Sequence, residues 1–98
     1  MAVIISAKVA DHIRTKHDVS ESEARQCFEN RTGGLLIDTR EDHKSDPPTM
    51  WFIAPTNKVR LLKVCFVQRD GDSYLRTAYE PNADELRIYR AHGKPSDF

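Results

Sequence analysis

The sequence predicts an α+β domain with two N-terminal helices, an antiparallel sheet of about four strands and a C-terminal helix. Apolar residues recur at helical spacing near both ends of the chain, whereas short runs of β-branched and aromatic residues fill the middle. Asp70 and Gly71 stand between two of these runs, a pattern typical of a tight hairpin turn. A chain of 98 residues can bury one modest core, so we expect a single domain spanning residues 1–98.

Two helices are expected before the glycine pair Gly33-Gly34. Ser6 is a suitable N-cap for the first helix, which would end near Lys16. The second helix has a clearer start, because residues 20–23 form a capping box and Val19 precedes them at the staple position. The apolar stripes comprise Val9 and Ile13 in the first helix, and Ala24, Cys27 and Phe28 in the second.

The strands and the last helix follow. Strands are expected over residues 35–37, 50–54, 60–67 and 73–79, and Pro55 ends the second of them because proline cannot donate to a ladder. Asn82 caps a third helix, and Gly93 stops it. We expect residues 93–98 to form a frayed tail.

The hairpin divides its residues between two faces. A two-residue turn at Asp70-Gly71 would set Phe66 opposite Leu75, Val64 opposite Thr77 and Leu62 opposite Tyr79 on a mostly apolar face. Lys63 and Arg76 would then be diagonal neighbours on the other face, close enough to bind one phosphate. A three-residue loop would change these pairs. The polar face is either an ordinary solvated surface, with Glu80 balancing the cations, or a phosphate-binding surface on which Tyr74 stacks a base.

Charge and composition limit the classes of function. Fifteen basic residues balance fifteen acidic ones, so a role in nucleic-acid binding needs a local basic patch. The N-terminal segment lacks the basic region of a signal peptide and the apolar length of a membrane span, so we expect a cytoplasmic protein without membrane contact. Cys27 and Cys65 are interpreted as buried thiols in a reducing cytosol, with a disulfide or a nucleophile as the alternatives.

A polar loop over residues 40–49 is longer than most connections in small domains, which favours a binding role. It contains Arg40 and His43, and a histidine on a polar loop can serve as an acid or a base near neutrality. The ligand spacing of a metal site is missing there, so we expect neither a metal nor a cofactor. His12 and His17 stand five apart and are expected at the surface on different sides of the first helix. Trp51, between apolar neighbours, is expected in the core.

Three segments of the chain together resemble the BrnT-like toxins of the RelE superfamily. They are KHDVSESEARQCFEN (16–30), RLLKVCFV (60–67) and YLRTAYEPNADELRIY (74–89). The matching positions are Lys16, His17, Val19, Phe28, Arg60, Leu62, Val64, Phe66, Ala78, Glu85 and Tyr89. The chain is also similar to small bacterial proteins called ADP-ribosyl-(dinitrogen reductase) hydrolase, although the acidic metal cluster of such hydrolases is not visible in the sequence.

The first resemblance implies a RelE-like fold and a bacterial ribonuclease toxin that a DNA-binding antitoxin neutralises. RelE-type catalysis uses dispersed basic and aromatic residues on a concave sheet, where a 2′-hydroxyl attacks the adjacent phosphate without a metal ion. The residues implied by this reaction are Lys63 and Arg76 on the phosphate, Arg60 or Arg40 assisting them, His43 or Tyr79 transferring protons, and Tyr74 contacting RNA.

The alternative is a non-catalytic module that keeps the RelE fold and binds a protein partner. The neutral charge favours it, and so does Tyr79, which stands where the family has an arginine after Ala78. A homodimer formed through a free sheet edge is a third option. The sequence therefore predicts an RNA-directed toxin-like protein or an interaction module on the same fold.

Overall fold

The computed structural model describes residues 2–39 and 47–98, and within them the predicted α+β class is confirmed. The helices are α1 (Ala7–His17), α2 (Glu21–Asn30) and α3 (Ala83–His92). The strands are β1 (Val3–Ile4), β2 (Leu36–Ile37), β3 (Thr49–Pro55), β4 (Leu61–Arg69) and β5 (Asp72–Tyr79). None of the helices in this part of the chain is long and apolar enough to cross a membrane.

The N-terminal caps of all three helices are those that the sequence predicts. The Ser6 hydroxyl accepts from the backbone N–H of Val9 at the start of α1. Helices α2 and α3 begin with reciprocal capping boxes, Ser20 with Glu23 and Asn82 with Glu85. Each cap satisfies backbone donors that would otherwise lack partners, which is worth about 1 kcal/mol per helix.

The described strands form one sheet in the order β1-β5-β4-β3-β2. Strand β1 pairs with β5 in parallel, with Val3 beside Ser73 and Ile4 beside Tyr74, while the other pairs are antiparallel. The prediction of a wholly antiparallel sheet is therefore wrong at this edge. Strand β1 was not predicted, because its partner β5 lies far along the chain and no local pattern marks this pairing.

The hairpin turn has the predicted length of two residues. Asp70 and Gly71 have φ angles of 54° and 83°, as a type I′ turn requires at both central positions. Near the turn the predicted pairs are confirmed, with Phe66 opposite Leu75 and Val67 opposite Tyr74.

Further from the turn, the register shifts by one residue between Cys65 and Phe66. Arg76 is the additional residue of β5, so Val64 lies opposite Ala78 rather than Thr77. Tyr79 lies opposite Lys63, and the predicted pair of Leu62 with Tyr79 is wrong. This irregularity turns Tyr79 away from the expected core position and onto the polar face that carries Lys63.

Helices α2 and α3 cover opposite faces of the sheet. Phe28 of α2 packs edge to face on Phe52 and Phe66, with ring centroids 5.0 and 5.3 Å away. Trp51 points to the other face, as alternation along a strand requires, and its ring lies 5.7 Å from that of Tyr89 in α3. Trp51 is buried, as predicted.

Both cysteines are buried, as predicted. Burial raises the pKa of Cys27 to about 12, so this thiol stays protonated and behaves as a small apolar side chain.

The C-terminal residues, where the sequence predicts a frayed tail, fold back onto the domain. The ring of Phe98 stacks on that of Tyr89 at 6.1 Å. The hydroxyl of Thr32 donates to Asp97 at 2.8 Å and accepts from the backbone N–H of Ser96 at 3.1 Å. The tail thus adds an aromatic contact to the α3 side of the sheet.

Candidate functional site

The polar face of the hairpin borders two openings. The first, which we call the histidine cleft, has a volume of about 380 Å³ and is lined by His12 and His17 of α1 together with Arg76, Thr77 and Tyr79 of β5. Asp38, Thr49 and Cys65 complete its described lining. The second, the α3 groove, has a volume of about 700 Å³ and lies between the β2 segment and α3, with Lys63 and Glu85 among its lining residues.

His17 lies at the centre of a row of three rings. Its imidazole is 5.5 Å from that of His12 and 5.3 Å from the phenol ring of Tyr79, measured between centroids. The expectation that the two histidines face different sides of α1 is wrong. Helical side chains lean toward the N-terminus, so the ring of His17, the last residue of α1, can reach back toward His12.

The protonation of His17 is biased by its surroundings. Burial lowers its pKa, and the nearby His12 and Lys16 lower it further because both disfavour a second positive charge. The fold therefore favours the neutral form of the His17 imidazole.

Arg76 is the exposed cation of the histidine cleft. It is the additional residue at the register shift of β5, and within the described residues it forms no ion pair. Tyr74 lies two residues earlier on the same strand and is 37% exposed. Both side chains are thus accessible to a ligand on this surface.

Lys63, predicted to share a phosphate with Arg76, is instead buried in an ion pair. Its Nζ lies 2.7 Å from Oε2 of Glu85 and 4.5 Å from the centroid of the Trp51 ring. Its side chain is only 6% exposed. The predicted clamp is therefore wrong, because Lys63 borders the α3 groove and already has an acidic partner, whereas Arg76 borders the histidine cleft.

The carboxylate of Glu85 accepts hydrogen bonds from three donors. Its Oε2 accepts from Lys63 and from the Tyr79 hydroxyl at 2.9 Å, and its Oε1 accepts from the backbone N–H of Asn82. Burial alone would raise the pKa of Glu85, but these hydrogen bonds outweigh it and the pKa is lowered. Burial, followed by the hydrogen bond to Glu85, raises the pKa of Tyr79. The Tyr79 hydroxyl therefore stays protonated and donates its hydrogen bond to Glu85.

Arg60, predicted to assist in RNA binding, has a structural role in this fold. Its guanidinium contacts Glu80 at 2.8 Å and Glu23 at 3.1 Å, and it also donates to the carbonyl oxygens of His17 and Asp18. These bonds join the end of α1 to the start of α2 and to the residue after β5. Glu80 thus pairs with Arg60 rather than balancing Lys63 and Arg76.

Arg40 and His43 lie outside the residues that the structure describes. The pairing of His12 with His17 was not predicted from the sequence. Neither was the position of Asp38, which is buried at the cleft just after β2. Lys16 and His17 are among the positions that match the toxin family in sequence. That match was the one sequence feature that indicated a function for this end of α1.

The histidine cleft combines groups that can bind an anion and move protons. An exposed guanidinium can neutralise a phosphate. An imidazole beside it can take a proton from, or give one to, an oxygen atom of the bound ligand. In residues 2–39 and 47–98, no cluster of three or more His, Cys, Asp or Glu side chains has the arrangement of a metal site. The sequence matches no protein-family model and no curated protein.

Proposed function

We propose that this protein binds single-stranded RNA along β5 and cleaves it at the histidine cleft without a metal ion, as a toxin-like ribonuclease. The supporting observation is the position of Arg76. It is an exposed cation with no ion pair among residues 2–39 and 47–98, and it borders a cleft that also contains His12, His17 and Tyr79. A phosphodiester held by Arg76 would therefore lie beside groups that can transfer protons.

Tyr74 and Arg76 supply the binding surface of this proposal. Two residues along a strand span about 7 Å, so a base stacked on Tyr74 would place a neighbouring phosphate near Arg76. Stacking on an aromatic ring is worth about 1–3 kcal/mol per base and depends little on base identity. RNA of mixed sequence is the expected ligand class.

The chemical step is the attack of a 2′-hydroxyl on the adjacent phosphorus. It needs a base for the attacking oxygen, an acid for the leaving oxygen and a cation for the charge on the phosphate. Arg76 is the cation that neutralises the charge on the phosphate. Lys63 has no role in this step, since its charge is already neutralised by Glu85.

The test is to incubate the purified protein with a short fluorescent single-stranded RNA in the presence of EDTA. We expect products that end in a 2′,3′-cyclic phosphate and a 5′-hydroxyl. Arg76→Ala should reduce cleavage at least about tenfold, the effect of removing one charge-assisted phosphate contact of about 1.5–3 kcal/mol. Arg87→Ala is the matched control, because Arg87 is exposed on α3 and borders neither opening. An intact, folded wild type that leaves RNA uncut would overturn the proposal.

The same variants address toxicity. Induced expression of the wild type should arrest growth and translation, while Arg76→Ala should not. The double change of Lys63 and Arg76 is less informative, since loss of Lys63 removes a buried ion pair and endangers the fold.

A non-catalytic interaction module is the second candidate, and the α3 groove favours it. Ile37 and Ile88 border this groove with 55% and 38% of their surfaces exposed, and apolar side chains grouped at the surface are typical of a protein contact. The partner would be an antitoxin protein or a second copy of the chain. Light scattering across protein concentrations tests the second copy, and Ile88→Glu should then restore the monomer mass.

A further inference from the structure

The two imidazoles of the histidine cleft are free of hydrogen bonds within the described residues. His12 is exposed and His17 half-buried, and both contact other rings rather than polar partners. Histidines placed in a fold for structural reasons usually donate or accept a hydrogen bond when they are partly buried. The nitrogens of this pair are thus available to a ligand that enters the cleft.

Tyr79, the other proton-transfer candidate of the cleft, is committed elsewhere. Its hydroxyl donates to Glu85 at 2.9 Å, and Glu85 is also bound by Lys63. Giving this proton to a leaving group would break the network at the partly buried carboxylate of Glu85. Tyr79 therefore forms the wall against which His17 packs, and proton transfer falls to the histidines.

The surroundings of His17 distinguish the two imidazoles. Among the described residues, charged or titratable groups near it come from several parts of the fold. They are His12 and Lys16 on α1, Cys65 on β4, Arg76 and Tyr79 on β5, Asp38 after β2, and Arg60, which donates to the carbonyl oxygen of His17. Burial and the two α1 neighbours favour the neutral imidazole. A neutral, half-buried imidazole suits a base, whereas the exposed His12 can draw its proton from solvent.

We propose that His17 is the general base and His12 the general acid of the cleavage, an inference that rests on the proposed function. His17 takes the proton of the 2′-hydroxyl while O2′ forms its bond to phosphorus. The bond from phosphorus to O5′ breaks, and O5′ takes a proton from the His12 imidazolium. The products are a 2′,3′-cyclic phosphate and a 5′-hydroxyl, and the exchange of one proton with solvent at each ring restores the starting state.

The test compares His17→Asn, His12→Asn and the control Arg87→Ala, which alters an exposed side chain of α3 that lines neither opening. We expect kcat on the fluorescent RNA to fall at least about 100-fold for the first two variants and less than about twofold for the control. Binding of the same oligonucleotide with 2′-deoxyribose, which cannot be cleaved, should stay unchanged in all three.

Two further readouts separate proton transfer from a structural effect. The wild type should show a bell-shaped dependence of kcat/KM on pH, reporting the pair as a coupled system, and His17→Asn should lose the acidic limb. Added imidazole should restore part of the activity of His17→Ala.

The outcomes distinguish this inference from the proposed function. A wild type that cleaves RNA while His17→Asn cleaves equally fast overturns the roles of the histidines and leaves the ribonuclease intact. The roles are also overturned if added imidazole does not restore activity to His17→Ala and the histidine variants no longer bind the 2′-deoxyribose oligonucleotide. A folded wild type that cleaves no RNA overturns both.

Discussion

The ring of His17 lies 5.3 Å from the ring of Tyr79, so the last residue of α1 and the last residue of β5 meet in one cleft. This contact depends on the register shift in β5, which brings Tyr79 to the polar face opposite Lys63. It also removes His17 partly from water. The consequence is a histidine whose ionisation is linked to folding.

The first prediction is that His17 makes stability depend on pH near neutrality. Its pKa is lower in the folded protein than the ordinary value of about 6.5, so the unfolded chain binds a proton more readily. The contribution of His17 is fully present above about pH 6.5 and is lost as the pH falls through its folded-state pKa. Urea denaturation from pH 7.5 to 5 should show a smaller loss of unfolding free energy for His17→Asn than for the wild type. Equal slopes for both proteins would contradict the prediction.

The second prediction concerns the buried ion pair. Glu85→Gln keeps the shape of the side chain and the capping of α3, but it leaves the charge of Lys63 without a buried partner. Since breaking a buried pair by removing one charge costs about 3–5 kcal/mol, we expect a loss of about 3 kcal/mol in urea denaturation. The double variant Lys63→Met/Glu85→Gln should recover part of this loss. If the unfolding free energy of Glu85→Gln were within about 1 kcal/mol of the wild-type value, the Lys63 ammonium would be hydrated in the variant, and the prediction would be wrong.

The third prediction compares neighbouring glycines. A Cβ at Gly33 would lie 2.5 Å from the hydroxyl oxygen of Tyr89, which is fully buried and donates to the Gly34 carbonyl at 2.8 Å. At Gly34 the nearest atom to such a Cβ is 3.7 Å away. Gly33→Ala should therefore lower the unfolding free energy by about 1–3 kcal/mol through overpacking, while Gly34→Ala should cost clearly less. Thermal melts of both variants check this, and equal melting temperatures would contradict it.

Local signals explain the parts of the fold that the sequence predicted correctly. Capping at Ser6, Ser20 and Asn82 involves residues three apart, and the Asp70-Gly71 turn involves adjacent ones. Such contacts can be recognised from the chain alone because no distant element is needed to make them. The three helices and the strands β2 to β5 were accessible for this reason.

The candidate site depended on contacts that no local pattern encodes. A single additional residue in β5 placed Tyr79 beside Lys63, and the approach of α3 supplied Glu85 to both. Lys63 therefore looked like a surface cation in the sequence and is a buried, neutralised one in the fold. Arg76 is exposed, as a position on the polar face of the hairpin predicts, but its histidine neighbours come from a distant helix.

The last prediction isolates Arg76 as a phosphate ligand. In single-stranded binding, each neutralised phosphate contributes about 0.7 to the slope of log K against log salt. Arg76→Ala should reduce that slope by about this amount for the non-cleavable oligonucleotide, measured by fluorescence anisotropy over a series of salt concentrations. Tyr74→Ala should instead weaken binding with little change in slope, because stacking on an aromatic ring releases no counterions. If both variants changed the slope equally, or neither changed the affinity, the nucleic acid would have to bind on a different surface from β5.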